Sequence, residues 1–502
     1  MWSLSAVGCR RLGAAGSLAV AAAGWGAGAL PARDPWGLWV PRGSGVTLVA
    51  TVVAYAGLTL LVAAWWRYGR LLARRDPAPG GVREVLGTLL WWTAPLLLAP
   101  PLYSADVYSY IAQGAMVVEG HDVYRAGPSV LDPHGIGGDA AASVGGNWTD
   151  TPAPYGPVFL LLAQTVTRVT DGTIVPAVLG MRLIALGALA LIVWALPRLP
   201  RPARSPRGSR GNGDRNGNGD RDGDGSGALW LGALNPLLLI HVVGGLHNDG
   251  LMAGLMLAGV VLALRGRPVA GGALVGLAMM VKTPAGLALL FIAVAVGRAA
   301  SGPLPARVAK ALVPGAAAVA VAAGASLLAG TGFGWLGTQS VAGAIHTALS
   351  ATSDLGLGLG ELLHLLAGVD PGPVKRAVQS LGLMAALALV AHLAVRAGRG
   401  RLDPAHALGL ALLALVALSP MVQPWYPLWG AVVVAATAWD GRAGRVVAVL
   451  SAALVYETAP TGATPAYGFV LAGAVCAAGA YALSRPGRTP LATTGTPEPS
   501  RG

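Results

Sequence analysis

Apolar residues run through this chain in helix-length blocks rather than in the two-residue alternation of half-buried strands. The blocks predict spans at 14–30, 46–66, 86–103, 174–197, 228–243, 247–264, 269–281, 284–299, 308–330, 374–396, 404–420, 424–440, 444–457 and 466–484. Several fall short of the roughly 20 residues that cross a bilayer, so the expectation is about 11–15 spans. The fold class this predicts is all-α, a polytopic transmembrane helix bundle. The block 157–170 ("PVFLLLAQTVTRVT") is short and carries Gln164 and Arg168, so it is read as a helix on or dipping into one surface.

The polar segments between blocks are of two kinds. One kind is rich in arginine: Arg10/Arg11, Arg67 to Arg83, the segment 198–227, Arg265/Arg267, Arg298 to Lys310, Arg396 to Arg401, Arg442/Arg445 and Arg485/Arg488. These mark the cytoplasmic face. The other kind carries acids, histidines, aromatics and prolines, in 104–156, 244–250, 282–284, 331–373, 422–427 and 456–468. The unusual chemistry is therefore expected at the outer leaflet of the plasma membrane.

Composition supports this picture. Of the 502 residues, 54% are hydrophobic and 11% charged, against about 25% charged in soluble proteins. The blocks are too long for the strands of an outer-membrane barrel. The net charge of +13 comes mainly from loop arginines, which suits lipid headgroups and not nucleic acid. Cys9 and Cys476 lie at opposite ends of the chain, so no disulfide framework is expected. The opening "CRRLGAAGSLAVAAAGWGAGALPAR" has features of a twin-arginine signal. It is read as a first transmembrane helix, because another span follows at once.

Segment 198–227 ends in "GNGDRNGNGDRDGDGSG" and reads as a disordered cytoplasmic linker between halves 1–197 and 228–485, with a disordered tail at 486–502. Asp220, Asp222 and Asp224 mimic the start of a calcium loop, but Leu231 stands where the bidentate Glu belongs. No internal repeat relates the halves.

The candidate chemistry sits on the outer face. "YSADVYSYIAQG" (103–114) follows a hydrophobic block and holds Asp106, Tyr108 and Tyr110. Ser104 or Asp106 can cap the next helix; a carboxylate there can equally serve as a general base. "EGHDVYRAGP" (119–128) offers Glu119, His121, Asp122 and Arg125 for sugar contacts, with weak metal-ligand spacing. "NWTDTPAPYGPVF" (147–159) is a proline-stiffened loop carrying Tyr155. "IHVVGGLHNDG" (240–250) places His241, His247, Asn248 and Asp249 at a tight turn. Either Asn or Asp can cap the following helix, but two histidines exceed what a cap needs. Lys282, in "MMVKTPAG", is an intramembrane cation, either snorkelling or paired with an anion. "VQPWYPLWG" (422–430) sets Gln423, Trp425, Tyr426 and Trp429 at a proline-broken helix mouth.

Taken together and in order, "DVYSYIAQG", "HDVYRAGP", "TPAPYGPVF", "NPLLLIHVVGGLHNDGLM", "VKTPAGLAL" and "VQPWYPLWG" resemble the polyprenol-phosphate-mannose-dependent α-1,6-mannosyltransferases of actinobacteria, over residues 85–440. That resemblance implies the GT-C type of bundle, with helices on the outer surface in the first large loop. It implies a polyprenyl monophosphomannose donor, a mannan or lipoglycan acceptor, and an acidic base in the first outer loop, which falls on Asp106. The expected reaction is an inverting transfer without cofactor or metal. Asp106 deprotonates the acceptor 6-hydroxyl. Lys282, helped by His247, receives the departing phosphate. Asn248 and Asp249 orient sugar or base. Tyr108, Tyr110, His121, Asp122, Tyr155, Gln423, Trp425 and Tyr426 contact substrate. A flippase of a lipid-linked sugar, a transferase using another lipid-phosphate sugar, and a non-catalytic scaffold are the alternatives. A flippase would gather its polar residues near the midplane, whereas here they gather on one side.

Overall fold

A computed structural model describes residues 5–74, 81–200, 225–341 and 345–484. Most of the expected linker, the tail and the calcium-loop mimic lie outside these residues. Among the described residues every regular element is helical. Five helices are long and apolar enough to cross a membrane: Ser44–Ala73, Ile174–Arg198, Leu304–Leu328, Pro371–Gly398 and Ala466–Ser484. Their outward residues face lipid; Leu328 is 81% and Val470 70% exposed, a waste of apolar surface in water. This is a multi-pass membrane protein.

The span count is lower than the blocks suggest. The bent pair Ser226–Gly232 and Pro236–Gly244 makes a sixth crossing if counted as one. Six further apolar helices, among them Asp249–Leu264, Pro268–Met279 and Leu428–Ala438, have only 10–17 residues. By length and composition, five or six helices among the described residues qualify as spans, fewer than the 11–15 expected. The block 86–103 divides into helix Gly81–Thr93 and a 3₁₀ turn Ala94–Leu98, because Pro95 cannot continue the ladder.

The 47° bend near Pro236 has a clear local cause. Pro236 lacks an N–H, and Asn235 supplies the missing bonds. Its side chain accepts from Leu237 N at 2.9 Å and donates to Leu231 O at 3.0 Å and Ser451 Oγ at 2.8 Å. Beyond it, Leu239–Gly244 winds as a π-helix, a form often found at functional sites. Trp230, on the first limb, stacks on Trp65 with centroids 4.9 Å apart. Each indole N–H donates to the other's carbonyl, at 2.9 and 2.8 Å. This clamp joins the long second helix to the broken one.

The first large loop folds into short helices, as expected. Asp106–Val118 is the main one, and it packs against Pro157–Thr170. The two kinds of polar segment also segregate. On the arginine side, Arg265 donates to Arg198 O at 3.2 Å and Arg298 to Ala397 O at 2.9 Å. On the other side, Arg33 pairs with Asp139 at 3.1 Å and Tyr103 N donates to Pro460 O at 2.8 Å.

Candidate active site

The site assembles from four chain segments that meet on the arginine-poor side. Asp106 opens one helix and Asp249 opens another. Both carboxylates thus sit in a first turn, where free N–H groups and the helix dipole favour negative charge. Neither is spent on capping. Ser104 Oγ accepts from Asp106 N at 3.1 Å, so that N–H is satisfied without the Asp106 carboxylate.

Asp106 Oδ2 lies 3.3 Å from His247 Nδ1. The contact is at ion-pair range but lacks the alignment of a hydrogen bond. His247 is fully buried and stacked on Trp425 with centroids 3.5 Å apart. Burial raises the Asp106 pKa, but His247, the charge of Lys282 and Ser104 outweigh it and leave the pKa below its ordinary 3.8. Asp106 is therefore ionised at neutral pH.

Lys282 Nζ donates to Asp249 Oδ2 at 2.7 Å. It lies 5.0 Å from the ring centre of Tyr426 and 5.6 Å from that of Tyr155, close enough for cation–π attraction. Trp429 Nε1 donates to the other oxygen of Asp249 at 2.7 Å. Loop 151–156 is held against Lys282 by Gly156 N to Val281 O and Val158 N to Met280 O. Gly156 permits this approach, since a Cβ there would stand 2.5 Å from Met280 O.

Backbone strain brackets the acid–histidine pair. Tyr103, three residues before Asp106, has φ +60°, and Leu246, immediately before His247, has φ +62°. Each such residue costs roughly 1–3 kcal/mol and persists only where its surroundings over-determine it. Here Tyr103 N bonds to Pro460 O and Leu102 N bonds to Gly244 O. Gly245 lies under Leu102 O, at a distance of 2.9 Å from where its Cβ would be.

Two cavities meet at Asp106. One, of about 280 Å³, is lined by Tyr155, Lys282, Leu383, Leu415, Tyr426 and Trp429. The other, of about 560 Å³, is lined by Ser104, His346, Glu457, Thr458, Thr464 and Phe469. Asp106, Trp148, Gln423 and Trp425 line both. The buried Trp425 indole N–H has no partner among the described residues.

Several expected contacts fall elsewhere. Tyr108 is buried and donates its hydroxyl to Ala29 O at 2.6 Å, a structural bond. Tyr110 packs edge-on against Tyr155 and Phe159, at 5.3 and 4.8 Å, and lines neither cavity. Asn248 is buried, and its amide has no hydrogen-bond partner among the described residues. His121 and Asp122 line a separate outer groove with Gly330 and Phe333. There His121 contacts Glu119 at 3.4 Å, while Asp122 pairs with Arg125 at 3.4 Å and accepts from Tyr124 N. They do not converge as metal ligands. His247 stands on Asp106 rather than beside Lys282. Trp148, His346 and Glu457 lie in polar segments that the sequence marks, but nothing local to them singles out these residues.

Residues 10–210 and 219–298 match a family model described as "Alpha-(1->6)-mannopyranosyltransferase, N-terminal domain". The chain belongs to the alpha-(1->6)-mannopyranosyltransferase family. Residues 352–485 match a second model, the MptB C-terminal domain. A probable alpha-(1->6)-mannopyranosyltransferase of Mycolicibacterium smegmatis is 37% identical, over 89% of this chain and 81% of its own length. Alpha-(1->6)-mannopyranosyltransferase Rv1459c of Mycobacterium tuberculosis is 35% identical, over 90% and 82%. Alpha-(1->6)-mannopyranosyltransferase B of Corynebacterium glutamicum is 30% identical, over 86% and 73%. No solved structure matches. In this family member Asp106, His247, Asp249, Lys282, Gln423, Trp425 and Tyr426 form the cluster, with Tyr155 at its edge.

Proposed function

We propose that this family member transfers mannose from polyprenyl monophosphomannose to a mannan or lipoglycan acceptor, forming an α-1,6 linkage with inversion. The reaction takes place at the outer face of the plasma membrane, the side poor in loop arginine. The observation that carries this reading is a histidine-backed Asp106 where two cavities meet, with a lysine lining only one of them.

The 280 Å³ cavity suits the donor. Lys282 has three N–H donors. One is committed to Asp249, and the others are available to a phosphate oxygen. Leu383 and Leu415 also line it, and Leu383 is 43% exposed, which suits an isoprenoid chain. Asp106 accepts the proton of the acceptor 6-hydroxyl. The oxygen forms a bond to C1 of mannose from the face opposite the phosphate. The C1–O bond breaks, and its electron pair leaves on the phosphate, where Lys282 stabilises the charge. One base and one displacement give inversion.

The test uses purified protein in nanodiscs with synthetic polyprenyl-phosphate-mannose and a short α-1,6-mannoside. Wild type transfers mannose. Asp106→Asn, folded and still binding donor, loses about 10²–10⁴ in kcat, the range of a general base. Full activity in the variant removes Asp106 from the chemistry. Donor movement across a sealed bilayer without any transfer replaces the enzyme reading with a flippase.

A further inference from the structure

The 560 Å³ cavity holds a group that the proposed chemistry leaves unused. Glu457 follows the helix Arg442–Leu454 and is 2% exposed. Its Oε2 accepts from Thr458 Oγ1 at 2.7 Å, the one hydrogen bond its carboxyl makes among the described residues. No basic side chain pairs with it there. A buried acid without a counter-charge is costly unless it has a use. The chain goes to some length to hold it in place. Gly468 packs on the Glu457 carbonyl, and Tyr55 donates to Thr458 O at 3.4 Å. Tyr456, one residue earlier, is stacked on Tyr55.

The lining of this cavity differs from that of its neighbour. It lacks a lysine, and beside Asp106, Glu457, His346 and the aliphatic Ile345, Leu349 and Val422 it offers aromatic faces and neutral polar groups. Trp148, Trp425 and Phe469 offer ring surface, while Gln423, Thr458 and Thr464 offer hydrogen bonds. A pyranose has both an apolar C–H face and a rim of hydroxyls, so it needs that combination. The volume also falls within the roughly 300–1,000 Å³ of small-molecule sites.

We propose that this cavity seats the terminal mannose of the acceptor, and that Glu457 binds its ring hydroxyls and so sets which hydroxyl faces Asp106. The proposal rests on the transferase reading above. Burial raises the Glu457 pKa above its ordinary value, with Thr458 opposing. A carboxyl held toward its neutral form can both donate to and accept from a sugar hydroxyl. Glutamine keeps that double capacity and alanine does not. Glu457 is a specificity residue here, and Asp106 remains the base.

The experiment measures initial rates with donor and acceptor varied separately, for wild type, Glu457→Ala, Glu457→Gln and Thr464→Trp. Thr464 is exposed, so the tryptophan fills the cavity mouth without burdening the core. Glu457→Ala is expected to raise the acceptor KM about tenfold, the scale of one buried hydrogen bond, while the donor KM stays within about twofold. Glu457→Gln recovers most of the loss, and Thr464→Trp raises the acceptor KM alone. If the donor KM rises instead, the cavity assignment is reversed and the proposal falls. Unchanged acceptor KM in both Glu457→Ala and Thr464→Trp also overturns it. Absence of transfer by wild type overturns the transferase reading itself, a separate result.

Discussion

The Lys282–Asp249 pair offers the sharpest test, because stability and activity should respond to it differently. Asp249 is 1% exposed and Lys282 13%, at 2.7 Å. At an effective dielectric of about 20 the attraction is roughly 6 kcal/mol before desolvation. Lys282→Met leaves Asp249 buried with only the Trp429 N–H, so it should cost about 3–5 kcal/mol. Asp249→Asn should cost less, about 1–3 kcal/mol, because the ammonium keeps the faces of Tyr155 and Tyr426. The double variant carries no orphaned charge. It should be more stable than the sum of the single losses implies, with a coupling of about 2–3 kcal/mol. Denaturant unfolding in mixed micelles measures all three, and mannose transfer is assayed on the same samples. Activity should not follow stability: the double variant regains fold and remains inactive, because Lys282 is needed at the phosphate. Restored transfer in the double variant would reduce Lys282 to a structural partner. A neutral Lys282→Met would refute the buried pair itself.

Other outcomes follow from the same geometry. The Asp106 pKa is lowered on folding, so its charge stabilises the fold above the unfolded pKa, and this is lost as pH falls through the lower folded value. The stability difference between wild type and Asp106→Asn should therefore be full at neutral pH and shrink only in acid below about pH 4, as urea titrations at several pH values will show. Gly156→Ala sets a Cβ against Met280 O and should cost about 1–3 kcal/mol while raising the donor KM. Arg182 is buried and donates to Leu97 O and Ala99 O, both at 2.7 Å. Arg182→Met should cost at least about 2 kcal/mol by leaving two carbonyls unpaired, and loosen the strand of chain leading to Asp106, seen as faster hydrogen exchange at 99–105.

Much of this protein is written in local sequence. The helix class follows from the length of the apolar blocks, and the two polar faces follow from where arginine occurs. Asp106, Asp249 and Lys282 stand out because a charge beside a membrane block is costly without a purpose. Those are properties of a residue and its chain neighbours, so they need no fold to be seen. The span count was not legible in this way, because an apolar block does not show where its helix ends: six of the apolar helices stop at 10–17 residues. Nor were the partners. His247 backs Asp106, and Asp249 holds Lys282, only because the turn at 240–250 meets two other segments. Glu457 looked like one acid in a loop. Its part in a cavity with Asp106, some 350 residues earlier, exists only once the chain has folded, since burial and enclosure belong to the assembly and not to any stretch of it.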